Sequence, residues 1–556
     1  MSKSPLRIAL LLNSDTVPEW VKVLIDEIQA GNYSTIALRI YDNGPERAPE
    51  NLSKGLVDRL IMKLAVTIHH RFAEGPTRVK DAFQPCDLTP QLEGIDTLYV
   101  DTQKTRYIDR FPAADIKTID SYNLDVIIRI GFGILDGDIL HVAKQGVWSL
   151  HHGDNRYNRG GPPAFWETMQ SWNTVGSILQ KLNSEIDNGL ILSRGQAPVD
   201  RFSLAQTRNN LYWKSQAMIS RELNRLHNLG AEAYFASDRL PEQSDFQFYS
   251  HRLFKYPLPG EYLKLSIKKF WEKVKYIARN KRYIDQWVLM FHFSDKALTS
   301  PRLYKTLLPP KDCFWADPFV IERHGKFYIY VEEYPYATAK GHISVIEMDA
   351  QGNTGEPQRC LETDYHLSYP FILEHENELY MIPESVSNNA VELYRCTEFP
   401  NKWEYVQDIM SNVQLVDATL YFHEGLWWLF GNESNGNRAT RWDECNLYFT
   451  KDFRDGNWQA HPHNPISSDV RQARPAGNIF EHEGKLYRPA QNCSRHYGYG
   501  FSVSEINTMT PEKYQETLIS RVEPKWDDCV IGTHTYNRAG RLTVIDAIRL
   551  RCRIKG

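Results

Sequence analysis

An α/β, Rossmann-like parallel sheet followed by an all-β five-bladed β-propeller is the fold class that three observations predict. Apolar strand patterns alternate with helical periodicities through the first part of the chain. Aromatic residues, 12% of the whole, crowd into the second half among frequent Gly, Asn and Asp. One segment recurs five times in that half. At 556 residues the chain also exceeds what a single hydrophobic core serves. The division expected is an α/β domain over 1–235, a linker with a basic amphipathic helix over 236–283, and the propeller over 284–556.

The first elements follow from apolar spacing. Arg7 to Asn13 reads as a buried strand, and Val17 to Ala30 as a helix carrying Trp20, Val21, Leu24, Ile25 and Ile28 on one face. Ser34 to Tyr41 alternates as a strand does, and Leu56 to Ala73 is again helical. Asp125 to Ile130 is a third strand, ending in the turn Gly131-Phe132-Gly133. In such sheets ligands bind at the carboxyl ends of the strands, which is where this turn and the loop at His151 are expected. Gly131-x-Gly133 lacks the third glycine of a dinucleotide fingerprint.

Phe202 to Leu229 reads as a helix closing the first domain, and Tyr234 to Pro259 as a polar, Pro-punctuated linker. Over Tyr262 to Arg282, Leu263, Ile267, Phe270, Trp271, Val274 and Ile277 share one helical face while Lys and Arg dominate the rest. Two readings stay open for it: packing between domains, or peripheral contact with an anionic membrane.

Composition excludes several classes. With 42% hydrophobic and 24% charged residues and a formal net charge of -4, there is no general argument for nucleic acid. The chain lacks an apolar run of roughly 20 residues and a signal-peptide pattern, so a cytoplasmic protein is expected. Eight cysteines without a Cys-x-x-Cys pair read as buried thiols. His151-His152 followed by Asp154 has no third ligand at metal spacing, and no metal is expected.

The second half starts its repeats at Trp315-Ala316-Asp317-Pro318-Phe319, Ser368-Tyr369-Pro370-Phe371, Val416-Asp417-Ala418-Thr419, Arg474-Pro475-Ala476-Gly477-Asn478 and Gly532-Thr533-His534-Thr535. An aromatic-rich strand follows each of the first four, as in Lys326 to Tyr330 and Leu426 to Phe430, and Arg541 to Ile545 is the weaker fifth. Starts lie roughly 50 to 60 residues apart, room for four short strands each. Inner strands of a propeller begin near its axis. Asp317, Asp417, Arg474, Asn478 and His534 are therefore expected to converge, with Glu333 and Glu384 at the ends of second strands, as a carbohydrate-binding pocket.

The stretch from Gly146 to Leu192 carries Ser149-Leu150-His151-His152-Gly153-Asp154-Asn155-Arg156, then Arg159-Gly160-Gly161-Pro162-Pro163, and later Glu185-Ile186-Asp187-Asn188-Gly189. It resembles the formyltransferase family, methionyl-tRNA or sugar N-formyltransferase-like. His151 falls on that family's catalytic histidine, Arg159-Gly160 on its Arg-Gly, Pro163 on its Pro, and Asp187 with Gly189 on its Asp-x-Gly. The resemblance implies His151 as base, Asp187 as the carboxylate that orients it, and Ser149 in place of the family's Asn donor to the oxyanion. It further implies 10-formyltetrahydrofolate as co-substrate, with Gly131, Phe132, Gly133, Ile134 and Leu135 contacting it and Asp154, Asn155 and Arg159 facing the acceptor. The second half resembles arabinanase-like and β-fructosidase-like propeller glycosidases, and a propeller domain attached to certain glycosyltransferases. Asp317 and Asp417 match two glycosidase carboxylates, and the fourth repeat has no matching Glu.

Taken together these resemblances imply an N-formyltransferase acting on a nucleotide-linked amino sugar in surface-polysaccharide synthesis. Two alternatives remain: a carbohydrate-binding protein with a degenerate transferase domain, and a glycosidase or transglycosidase centred on Asp317 and Asp417.

Overall fold

A computed structural model describes residues 3–44, 55–185, 188–241, 249–433 and 440–553, and the chain divides into two compact units, Met1–Lys273 and Val274–Gly556.

The first unit is built on a seven-stranded sheet. Its strands are β1 (Leu6–Leu12), β2 (Ser34–Asp42), β3 (Asp96–Val100), β4 (Val126–Arg129), β5 (Val147–His151), β6 (Thr174–Lys181) and β7 (Leu190–Pro198), in the order β7-β6-β5-β4-β1-β2-β3. The five strands β5-β4-β1-β2-β3 run parallel, and β6 and β7 extend the sheet antiparallel, so it is mixed rather than wholly parallel. Strand order reverses at β1, between β2 and β4, which marks the sheet's switch point. Every residue of β1 from Ile8 to Leu12 is buried, because both faces are covered. Ala9 and Leu11 pack with Leu38, Ile127 and Val147 in one core.

Four helices matter here, the last of them running past Lys273 into the second unit. α1 (Glu19–Ala30) buries the Trp20, Val21, Leu24, Ile25 and Ile28 stripe that its spacing predicts. α2 (Leu56–Ile68) continues into a wider turn, His69–Ala73. α3 (Leu204–Leu229) starts on Ser203, whose hydroxyl accepts from the Gln206 N–H and caps it. α4 (Pro259–Arg282) buries Tyr262, Ser266 and Lys269, leaving most of its predicted apolar face outward.

From Tyr283 onward the second unit is built of β-strands. Strand β8 (Tyr283–Phe293) pairs antiparallel along its whole length with the last strand of the unit, so the beginning and end of this unit share one five-stranded sheet. Four further sheets of four antiparallel strands follow in chain order, each strand beside the next, as local hairpins produce. The strands that position the site are β9 (Cys313–Arg323) and β10 (Lys326–Pro335) of the first sheet, and β11 (Ser368–His375) and β12 (Glu378–Glu384) of the second. To these are added β13 (Leu415–His423) of the third, β14 (Lys485–Asn492) of the fourth, and the closing strand β15 (Leu542–Cys552). Large aromatics fill the space between sheets: Phe319, Tyr330, Tyr369, Trp403 and Trp427 share one buried cluster.

Candidate functional site

At the carboxyl end of the first unit's sheet, Arg129 of β4 lies opposite Ser149 of β5, and its Nη1 donates to the Ser149 hydroxyl at 2.7 Å. Burial lowers the pKa of this guanidinium, with Asp109 acting in the opposite direction, and its Nε is sealed without a partner. His151 donates from Nε2 to the carbonyl of Asn158 at 3.1 Å, which places the imidazole proton of the neutral ring on that nitrogen. Asp187 lies outside the described residues. His152 stacks on Tyr212 at 3.8 Å with its edge toward Trp20, as part of the packing.

Asp154, Asn155 and Arg159 belong to one closed network. Burial pushes the Asp154 carboxyl up, but bonds from Arg156 and the charges of Arg194 and Arg156 outweigh it and hold the pKa low. Gln196 donates to the same carboxylate at 2.7 Å. Asn155 accepts from Arg194, and its carbonyl accepts from Arg159, which lies over the Tyr249 ring. Gly160 is required by space: a Cβ there would lie 1.8 Å from the Phe254 carbonyl oxygen.

The turn after β4 is also self-satisfied. The N–H groups of Gly131, Phe132, Gly133 and Ile134 donate to the Leu11 carbonyl, Asn13 Oδ1, Asp109 Oδ2 and the Tyr107 carbonyl, at 2.8, 2.9, 2.5 and 3.0 Å. Leu135 is buried in the core. Four donors that the resemblance would offer to a pterin are thus occupied within the protein.

The second unit brings its predicted residues together more tightly. In three of its first strands the ladder slips at the same repeat position, between Ala316 and Phe319, Ser368 and Phe371, and Val416 and Thr419. The residue in each slip has a left-handed backbone, Asp317 at φ 51°, Tyr369 at 44° and Asp417 at 54°, and in the fourth repeat Gly477, one residue past the equivalent place, has φ 127°. Such bulges re-aim side chains, and a left-handed non-glycine residue is strained by about 1–2 kcal/mol.

The residues so aimed form a continuous polar cluster. Arg474 donates through Nε and Nη2 to both oxygens of Asp417, the first at 2.5 Å and the second at 3.0 Å, and Nη2 reaches Glu384 at 3.1 Å. Gln491 of β14 donates to Asp417 at 2.7 Å. Asp317 accepts from the Thr535 hydroxyl at 2.9 Å. His534 lies between two carboxylates, Nδ1 2.6 Å from Asp546 and Nε2 3.5 Å from Asp317, with its ring stacked on Trp287. Asn478 is held by its backbone N–H, which donates to Asn537 Oδ1, while its own Oδ1 is buried without a partner.

Electrostatics follow from crowding. Burial, together with neighbouring carboxyls, raises Asp317 to about 6 and Glu384 to about 8, against the pull of His534 and Arg474 respectively. Burial raises Glu332 strongly, with Asp317, Glu384, Asp546 and Asp417 adding to it. His534 is raised, because Asp546 and Asp317 overcome its desolvation.

Glu333 stands apart from this group. It accepts from His342 at 3.2 Å and Ser344 at 2.6 Å, contacts that lower its pKa to about 2. Consecutive strand residues point to opposite faces, so where the sequence singled out Glu333 it is Glu332 that joins the cluster. Sequence reasoning also passed over Tyr369, Gln491, Asp546 and Tyr497, whose ring lies under the Arg474 guanidinium at 5.0 Å and edge-on to His534 at 5.2 Å. Tyr369 and Tyr497 could have been read as aromatics beside carboxylates, whereas Asp546 sits in mid-strand outside the repeated pattern.

Asp317, His534 and Asp546 present ligand atoms within 4.8 Å of one another, a spacing a cation could use. Both imidazole nitrogens already face a carboxylate, and both Asp546 oxygens accept backbone N–H groups. The residues therefore fit a proton-bearing Asp-His-Asp relay, and a metal would have to displace that proton.

A family model described as "Glucosamine inositolphosphorylceramide transferase 1, N-terminal" matches residues 298–551. A rice protein (Oryza sativa subsp. japonica) named glucosamine inositolphosphorylceramide transferase 1 is 34% identical over 210 residues, 37% of this chain and 28% of its own length. The chain thus spans little more than a quarter of that relative. A methionyl-tRNA formyltransferase of Prochlorococcus marinus (strain MIT 9215) is 26% identical over 149 residues, 24% of this chain and 45% of its own. Among solved structures, the family 117 glycoside hydrolase Zg3597 of Zobellia galactanivorans covers 48% of this chain and 90% of its own at 12% identity and TM-score 0.32. The chain is composite, with similarity to a formyltransferase and, more strongly, to a sugar-lipid transferase. That stronger similarity overturns the expectation of formyl transfer to an amino sugar, and with it 10-formyltetrahydrofolate as co-substrate.

Proposed function

We propose that the chain acts in glycosyl transfer on a glucosamine-bearing inositol phosphorylceramide headgroup, and that its second unit holds the sugar. In this reading the five sheets are the blades of a five-bladed propeller, and the cluster from Asp317 to Asp546 is its central site. The carrying observation is an excess of carboxyls: Asp317, Glu332, Glu384, Asp417 and Asp546 against Arg474 and His534. Carboxyls raised by burial and by neighbouring carboxyls, as Glu332 and Glu384 are, ionise when a cation enters, and the ammonium of glucosamine is such a cation. The names of the relatives support the sugar and lipid.

Calorimetric titration at pH 7 in two buffers of different ionisation enthalpy tests this. Glucosamine is expected to bind with proton release and glucose much more weakly with none, and Glu384→Gln is expected to reduce the release. Equal binding of the two sugars, or release unaffected by Glu384→Gln, overturns the reading.

A further inference from the structure

α2 presents four large aliphatic side chains to solvent: Leu56, Val57, Leu60 and Leu64 are 75%, 66%, 59% and 50% exposed. They lie on the side of the helix away from Ala65 and His69, which are buried; the His69 ring bonds the Tyr262 hydroxyl of α4 at 2.9 Å. Phe72, itself half-exposed, meets Phe270 of α4 edge to face at 6.2 Å, which brings this surface next to the exposed Ile267 and Trp271. Single exposed apolar residues need no explanation, but a run of this kind on two packed helices marks a contact surface.

Its border is cationic. α4 carries eight Lys and Arg against two Glu, and its exposed Lys264 and Lys268 flank Ile267 and Trp271 on the helix surface. Arg59, Lys63 and Arg71 are exposed along α2 and its extension. Of the two acids on α4, Glu261 pairs with Arg252 and Glu272 with Lys268 and Lys269. Aliphatic and Trp side chains bordered by Lys and Arg match the interface of an anionic bilayer, where apolar groups enter the acyl boundary and cations meet headgroup phosphates. A second copy of the chain fits less well, because a two-fold contact would set the same cationic border against itself.

We propose that α2 and α4 form a docking surface for an anionic lipid bilayer. The surface does not use the sugar site, and the two readings fail separately.

The test is flotation of the full chain with phosphatidylcholine vesicles, with and without phosphatidylserine. Wild type is expected to float with the anionic vesicles and to be released by high salt. Leu60→Ser/Leu64→Ser/Trp271→Ser is expected to lower the bound fraction more than about tenfold, and Lys264→Glu/Lys268→Glu to lower it on anionic vesicles. Because all these side chains are exposed, an unchanged melting temperature and an unchanged far-UV circular dichroism spectrum show the variants folded. Flotation that ignores phosphatidylserine overturns the proposal, as does a wild-type dimer that the Ser variant dissolves.

Discussion

At the scale of single residues, His152 and Glu384 respond oppositely to pH. Burial first, then the charges of His151 and Arg129, depress His152 to about 3 from an ordinary 6.5. The unfolded chain therefore takes up this proton first on acidification, and the stability it contributes is lost as pH falls from 6.5 toward 3. His152→Phe keeps the ring stack on Tyr212, so thermal melts of the variant should lose less stability between pH 7 and 5 than wild type; equal slopes would refute this. Glu384 behaves in reverse. Its pKa is raised from 4.5 to about 8, so its contribution is complete below 4.5 and lost as pH rises through 8. Glu384→Gln should be the more stable protein at pH 8.5, by urea denaturation. Arg474→Met, which strands Asp417 and Glu384, should cost about 3–5 kcal/mol in the same assay. Asp317, Asp417, Arg474 and His534 were legible because each sits in a repeated phrase. Glu332 and Asp546 were not, since strand alternation and pairing with a distant strand, rather than sequence neighbours, select them.

At the scale of elements, periodicity served well where one face is buried. β1, β2, α1 and α3 lie within a few residues of their predicted spans. At α2 and α4 it located the helices but not their surroundings, because a hydrophobic stripe says nothing of what it meets and these stripes face largely outward. The bulge shared by Asp317, Tyr369 and Asp417 was visible only as a recurring phrase, because left-handed backbone at Asp or Tyr has no compositional sign. The positive φ of Gly477 in the fourth repeat offers a test of how tightly the backbone is held there. A Cβ there would stand 2.1 Å from the Tyr536 carbonyl oxygen, so Gly477→Ala should destabilise the second unit by about 1–3 kcal/mol, measured by urea denaturation. A neutral outcome would mean the strand can shift.

At the scale of the whole molecule, the two halves differ in how their parts reach one another. The first unit depends on parallel pairings that need crossovers, whereas the four-stranded sheets of the second are hairpins closed locally. The fifth sheet is the exception. β8 and β15 pair over eleven residues, from Tyr283 opposite Cys552 to Phe293 opposite Leu542. A chain ending at Gly540 should leave the second unit unfolded or readily cleaved, as limited proteolysis would show; resistance equal to wild type would deny the pairing that role. The same pairing brings residues 283 and 552 side by side, so the order in which the sheets are read along the chain is arbitrary to the fold. Joined there by a short linker and reopened at a turn between two other sheets, the unit would be a circular permutant with the same polar centre. A module of that kind can be lodged inside unrelated hosts without redesign of either.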